Sequence, residues 1–161
     1  MNFKKVLINT ATLGPVGYLP ASGTVATFIT MGVLLIFWWF GYTSALVMKL
    51  VLPVVGLSGI IIHYVLRYFE SGDPKEIVLD EVAGYMLAVS LFPLRPAWLL
   101  SAALLFRFFD ILKPLGIRFF ERIGGVAGIL LDDLLAAVYT QVTIILFLII
   151  TEKCIRLLSS C

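Results

Sequence analysis

Residues 126–150 read VAGILLDDLLAAVYTQVTIILFLII, an apolar run long enough to cross a bilayer that carries two adjacent aspartates, Asp132 and Asp133, near its start. A hydrocarbon core of about 30 Å needs about 20 helical residues at a rise of about 1.5 Å each. An ionised aspartate at mid-bilayer costs about 2.5–3.5 kcal/mol on the insertion scale. A chain that carries two side by side has a use for them.

Four further apolar stretches, 25–41, 45–66, 82–94 and 97–112, precede this one. The chain is 61% hydrophobic and 14% charged, where soluble domains are typically about 45–50% apolar and about 25% charged. These departures predict an all-α integral membrane protein. It should be one domain over residues 1–161, a bundle of four to five transmembrane or partly inserted helices. The second and fifth stretches are long enough to span, and the first is borderline. The third and fourth are short and are separated by PLRP at 93–96, where proline favours a turn. A hairpin of tilted or partly inserted helices is expected there. A net charge of +2 without a basic run excludes a nucleic-acid surface. The N-terminus has no apolar core of the kind a cleaved signal peptide needs. Cys154 and Cys161 form neither a disulfide framework nor a zinc site.

Lysine and arginine set the orientation. With a cytoplasmic N-terminus and five crossings, the inner side collects Lys4, Lys5, Arg67, Lys75, Arg107, Lys113, Arg118 and Arg122. The outer side collects Lys49, Arg95, Lys153 and Arg156. That imbalance follows the positive-inside rule. The same layout puts Thr24, Asp80, Glu81, Asp110, Asp132 and Asp133 at cytoplasmic helix ends, in one layer at headgroup depth.

Four motifs populate that layer. In DPKEIVLDEVAGY (73–85), Asp73-Pro74 reads as a turn or helix start, and Asp80-Glu81 open an apolar helix with Gly84 on the face of Asp80. In FRFFDILKPLG (106–116), Arg107, Asp110 and Lys113 recur at i, i+3 and i+6 on one helix side, and Pro114 ends or bends that helix. In GVAGILLDDLLAA (125–137), Gly128, Asp132 and Ala136 share a face, as do Asp133 and Ala137, so a second helix can pack closely there. In GYLPASGTVATF (17–28), the pattern reads as a capped helix start whose N–H groups, with the Thr24 hydroxyl, could hold a phosphate. Arg118 and Arg122, beside aromatics, suit an interfacial helix touching anionic lipid.

Each motif alone has a plain structural explanation: a solvated helix terminus, an i,i+3 ion-pair ladder, a buried acid satisfied by Arg107 or Lys113, or a helix cap. Together they bring carboxylates from three helices, basic groups and a helix N-terminus to one depth. Clustered carboxylates bind a hard cation, and Mg²⁺ typically takes one or two of them plus waters and phosphate oxygens. A metal-bound phosphate beside Arg or Lys is arranged for phosphoryl chemistry. The only histidine, His63, lies within GIIIHYVL and reads as a packed or hydrogen-bonded residue rather than a catalyst, which removes two-histidine phosphatases. No DxDxT motif supports a haloacid-dehalogenase route, and neither cysteine precedes an arginine loop.

At these residues the chain resembles bacterial phosphatidylglycerophosphatase A, from about Thr12 to Val138. The resemblance is carried by GYLPASGT, DPKEIVLDEVAGY, FRFFDILKP and GILLDDLLA. It implies Mg²⁺-dependent removal of the terminal phosphate from phosphatidylglycerophosphate, giving phosphatidylglycerol at the cytoplasmic face of the bacterial inner membrane. The chain departs from the family pattern at Ser22, Ala26, Val126, Leu130 and Gly116, while the charged residues are intact. On this reading Asp80, Glu81, Asp132 and Asp133 hold Mg²⁺, and Asp132, Asp133 and Asp110 serve catalysis. Gly23, Thr24, Arg107 and Lys113 bind the substrate phosphate. The rival reading is a small transporter or channel with an acidic ion relay, which needs polar groups through the bilayer depth. A third is a scaffold whose acids only form ion pairs, indifferent to Mg²⁺.

Overall fold

The computed structural model describes residues 3–70, 74–114, 116–117 and 123–159. Six α-helices occur among them: α1 (Phe3–Ala11), α2 (Ser22–Trp39), α3 (Ser44–Val65), α4 (Leu79–Val89), α5 (Pro96–Leu112) and α6 (Gly125–Ser159). Short 3₁₀ turns follow α1 and α3, at Val16–Tyr18 and Leu66–Tyr68. No strand occurs among the described residues, so the fold is all-α, as composition required.

Among the described residues, three segments are long and apolar enough to cross a membrane: Ser22–Trp39, Ser44–Tyr68 and Gly125–Arg156. The expected hairpin is present as α4 and α5, joined through residues 90–95. At 11 and 17 residues these helices reach only about 16 Å and about 25 Å, so neither matches a full hydrocarbon core. Pro96 occupies the first turn of α5, where its missing N–H is an orphan position anyway. The last helix runs past the apolar stretch to Ser159, where Glu152 and Arg156 form an exposed i,i+4 ion pair. The short helix α1 was not legible in the sequence. It packs against α3, Ala11 meeting Ile62 and Val65 in a buried cluster that Ile77 and Ile129 complete.

The centre of the bundle is α4, which packs most extensively against α6 and also touches α2, α3 and α5. No residue from Glu76 to Ser90 is exposed. Small residues make this possible: Ala83, Gly84 and Ala88 are buried on α4, and Ala88 shares one core with Ala136 and Ala137 of α6 and Ala102 and Ala103 of α5. A Cβ on Gly84 would stand 3.0 Å from the Asp133 Cβ and 3.0 Å from the Phe106 ring, so the α4–α6 approach depends on glycine there.

Polar side chains inside this core are tied to backbone carbonyls. The Tyr85 hydroxyl donates to the Leu99 carbonyl at 2.7 Å. The Gln141 amide donates to the Leu87 carbonyl at 2.6 Å and the Ser90 hydroxyl at 3.2 Å. Gln141 thereby joins the Ser90 N–H at 3.1 Å and the Ser90 hydroxyl at 2.8 Å as a donor to the Leu87 carbonyl, tying α6 to the C-terminus of α4. Pro53 lies inside α3, and His63 is exposed on that helix, edge-on to Tyr64. The expectation of a packed histidine is corrected: at its position on α3, His63 faces outward.

Candidate active site

One end of the bundle holds a cavity of about 880 Å³. Its walls come from the segment 17–24, the segment 74–77, the start of α4, the end of α5 and the first turns of α6. Gly23, Thr24, Asp80, Glu81, Arg107, Asp110, Lys113, Asp132 and Asp133 all line it. The structure therefore gathers every site residue expected from sequence. Arg118, Arg122, Asp73 and Cys161 lie outside the described residues; Cys154 is a free, exposed thiol.

The floor is acidic. Carboxylate oxygens of Asp80, Glu81 and Asp133 all lie within 4.8 Å of one another. Asp80 Oδ1 and Glu81 Oε2 are buried without a hydrogen-bond partner among the described residues. Uncompensated buried carboxylate oxygens are costly, and three converging carboxylates fit a hard divalent cation. Burial, followed by the charge of Glu81, pushes Asp80 well above the usual carboxylate range. Burial also raises Glu81, opposed by hydrogen bonding with Asp80 and by the Arg107 charge.

Asp132 stands apart from that trio. Its Oδ2 accepts from Lys113 Nζ at 2.8 Å, and its Oδ1 accepts from the Asp133 N–H at 3.0 Å. Successive helix residues point about 100° apart, so the two adjacent acids face different partners: Asp133 faces α4, and Asp132 faces the end of α5. The ladder on α5 also differs in detail. Arg107 Nη1 pairs with Asp110 Oδ2 at 2.7 Å and lies 4.0 Å from Glu81 Oε1. Lys113, however, is beyond the helix, in the left-handed conformation at φ 45° just before Pro114. That turn swings its side chain toward α6.

The start of α2 departs from the capping expected of Ser22 and Thr24. The residue before the helix, Ala21, is left-handed at φ 55° and no side chain caps the terminus. The Ser22 hydroxyl instead donates to the Lys75 carbonyl at 3.0 Å. The first N–H groups of α2 therefore lack a cap, beside a cavity lined by Ser22, Gly23 and Thr24. A Cβ on Gly23 would collide with the Glu81 carboxylate and come within 3.1 Å of Arg107 Nη1. Glycine at 23 is what lets α2, α4 and α5 meet around one acid. Gly17 plays the corresponding role for the loop, since a Cβ there would strike the Glu76 carbonyl.

These features define a class: an all-helical membrane protein with a carboxylate-lined cavity and an uncapped helix N-terminus at one end of its bundle. The chain belongs to the phosphatidylglycerophosphatase A family, whose profile matches residues 9–148. A Haemophilus influenzae protein named phosphatidylglycerophosphatase A is 45% identical over 74 residues, 45% of each chain. The Escherichia coli protein of the same name is 35% identical over 68 residues, 41% of this chain and 40% of its own. A Bacteroides thetaiotaomicron protein provisionally named a phosphatidylinositol-3-phosphatase is 40% identical over 75 residues, 45% of this chain and 47% of its own. The chain thus spans less than half the length of these curated relatives. No solved structure matches it at a significant level.

Proposed function

We propose that this protein hydrolyses the terminal phosphate monoester of phosphatidylglycerophosphate, releasing inorganic phosphate and phosphatidylglycerol, with Mg²⁺ as its cofactor. The observation that carries this reading is the trio Asp80, Glu81 and Asp133, with two unpartnered oxygens, lining the same cavity as the uncapped start of α2. The names of all three relatives refer to removing phosphate from a phospholipid headgroup.

Asp80, Glu81 and Asp133 would hold the cation, which when bound supplies Lewis-acid polarisation of a phosphate oxygen. The N–H groups of Gly23 and Thr24 and the Thr24 hydroxyl donate to phosphate oxygens at a helix N-terminus that favours anions. Arg107 adds positive charge; its Nε is buried without a hydrogen-bond partner among the described residues. Water attacks phosphorus and gives its proton to Asp110. The bond from phosphorus to the glycerol oxygen breaks, and Lys113, oriented by Asp132, returns a proton to that oxygen.

A relay through the membrane is disfavoured by where the polar groups are. The acids cluster at one end, while residues 145–150 of α6 are apolar and all exposed, and the buried Gln141 is spent on α4. The count of basic residues supports a cytoplasmic site in the bacterial inner membrane.

The test is phosphate release from phosphatidylglycerophosphate in mixed micelles, with Mg²⁺ and with chelator. Activity should require Mg²⁺. Asp133→Asn should lower kcat by about 10²–10³-fold, as loss of a principal electrostatic group does, with unchanged helical circular dichroism. Near-normal turnover by that variant, or full activity in chelator, overturns the reading.

A further inference from the structure

We infer that Lys75 reads the internal phosphodiester of the substrate headgroup, the second of its two phosphates. The inference rests on the proposed reaction and deepens it to a specificity determinant.

The cavity is larger than one phosphate requires. At about 880 Å³ it lies within the roughly 300–1,000 Å³ of sites that enclose whole small molecules. Three described cations line it: Arg107, Lys113 and Lys75. Arg107 is paired with Asp110 and near Glu81, and Lys113 is paired with Asp132, all in the acidic part of the cavity. Lys75 is exposed and belongs to no ion pair among the described residues. It is the cation left to meet a charge arriving from outside.

Its backbone is fixed. The Ser22 hydroxyl holds the Lys75 carbonyl at 3.0 Å. Two residues on, Ile77 and Val78 are buried, and the Val78 N–H donates to the Ala11 carbonyl at 3.0 Å. The neighbouring Glu76 carbonyl packs against Gly17. The lysine is thus anchored directly beside the first residue of α2, whose N–H groups receive the terminal phosphate. A headgroup with its monoester on that terminus carries its diester outward, one glycerol away, and an unpaired ammonium at the rim complements that charge.

The experiment uses the full chain and measures KM and kcat on phosphatidylglycerophosphate, with inhibition constants for two products. Inorganic phosphate probes the monoester position, and phosphatidylglycerol probes the diester position. Lys75→Ala should raise KM and the phosphatidylglycerol inhibition constant together, each about fivefold, the upper range for a solvent-exposed charge pair. The phosphate inhibition constant should be unchanged, the main loss should fall on KM, and Lys75→Arg should restore both raised values. If both inhibition constants rise equally, or neither moves, Lys75 does not read the diester. If the wild-type chain releases no phosphate, the reaction itself is refuted, a result distinct from either.

Discussion

The two halves of α6 obey different rules. Over its first turns, Ile129, Asp132, Asp133, Ala136, Ala137, Thr140 and Gln141 are buried where the helix packs against α4, α5 and α3. From Ile145 to Ile150 every residue is exposed, an apolar surface suited to lipid. Both halves are dominated by apolar residues, yet only the first is specified by shape. In the outer half lipid tails are as apolar as leucine, so burial against protein gains little. In the inner half, small residues and one glycine set helix distances on which three carboxylates depend.

The sharpest way to break this contrast is Gly84→Val. Overpacking against Asp133 and Phe106 should cost about 1–3 kcal/mol, lowering the midpoint of thermal unfolding and removing most phosphate release. Wild-type activity would mean that the α4–α6 distance does not position the acids. Gln141→Leu removes the donor from α6 to the Leu87 carbonyl, which keeps its two bonds from Ser90, and should cost about 0.5–1.5 kcal/mol, seen as a lower midpoint with activity largely kept at assay temperature.

A third test uses protons and metal. Folding raises Asp80 and Glu81, so without a cation the folded state binds more protons than the unfolded one. Stability in chelator should then fall as pH rises above the ordinary carboxylate range of about 4. Added Mg²⁺ should restore more at the high end of the series than at the low end. Midpoints in chelator that do not change with pH would contradict this. The smallest effect belongs to the outer half: Ile149→Ala should move the midpoint by less than about 0.5 kcal/mol equivalent, with activity unaffected.

Much of this was legible in the residues. Hydropathy located all five apolar helices, the proline-marked turn separated α4 from α5, and the acids aligned at one end before any coordinates. Other features were not. Apolar side chains that meet protein and those that meet lipid look alike in sequence, so the complete enclosure of α4 was hidden. Ser22 and Thr24 fit the capping pattern, but Ala21 takes the left-handed turn and Ser22 bonds across to Lys75, a pairing 53 residues away in sequence. Lys75 itself signalled only orientation. The division of labour between Asp132 and Asp133 follows from helical angle, but its partners needed the fold.

The enclosure of α4 has a mechanical meaning. The helix that carries Asp80 and Glu81 has no side turned to the bilayer and is too short to register the thickness of one. A change in bilayer thickness acts first on α2, α3 and α6, which are long and apolar enough to cross it. Asp133 rides on α6 and moves with it, whereas Asp80 and Glu81 feel the change only through the packing of α4 against its neighbours. The floor is thus half sheltered and half exposed to the bilayer, so the rate should vary with acyl length to the degree that tilting α6 carries Asp133 away from Asp80 and Glu81.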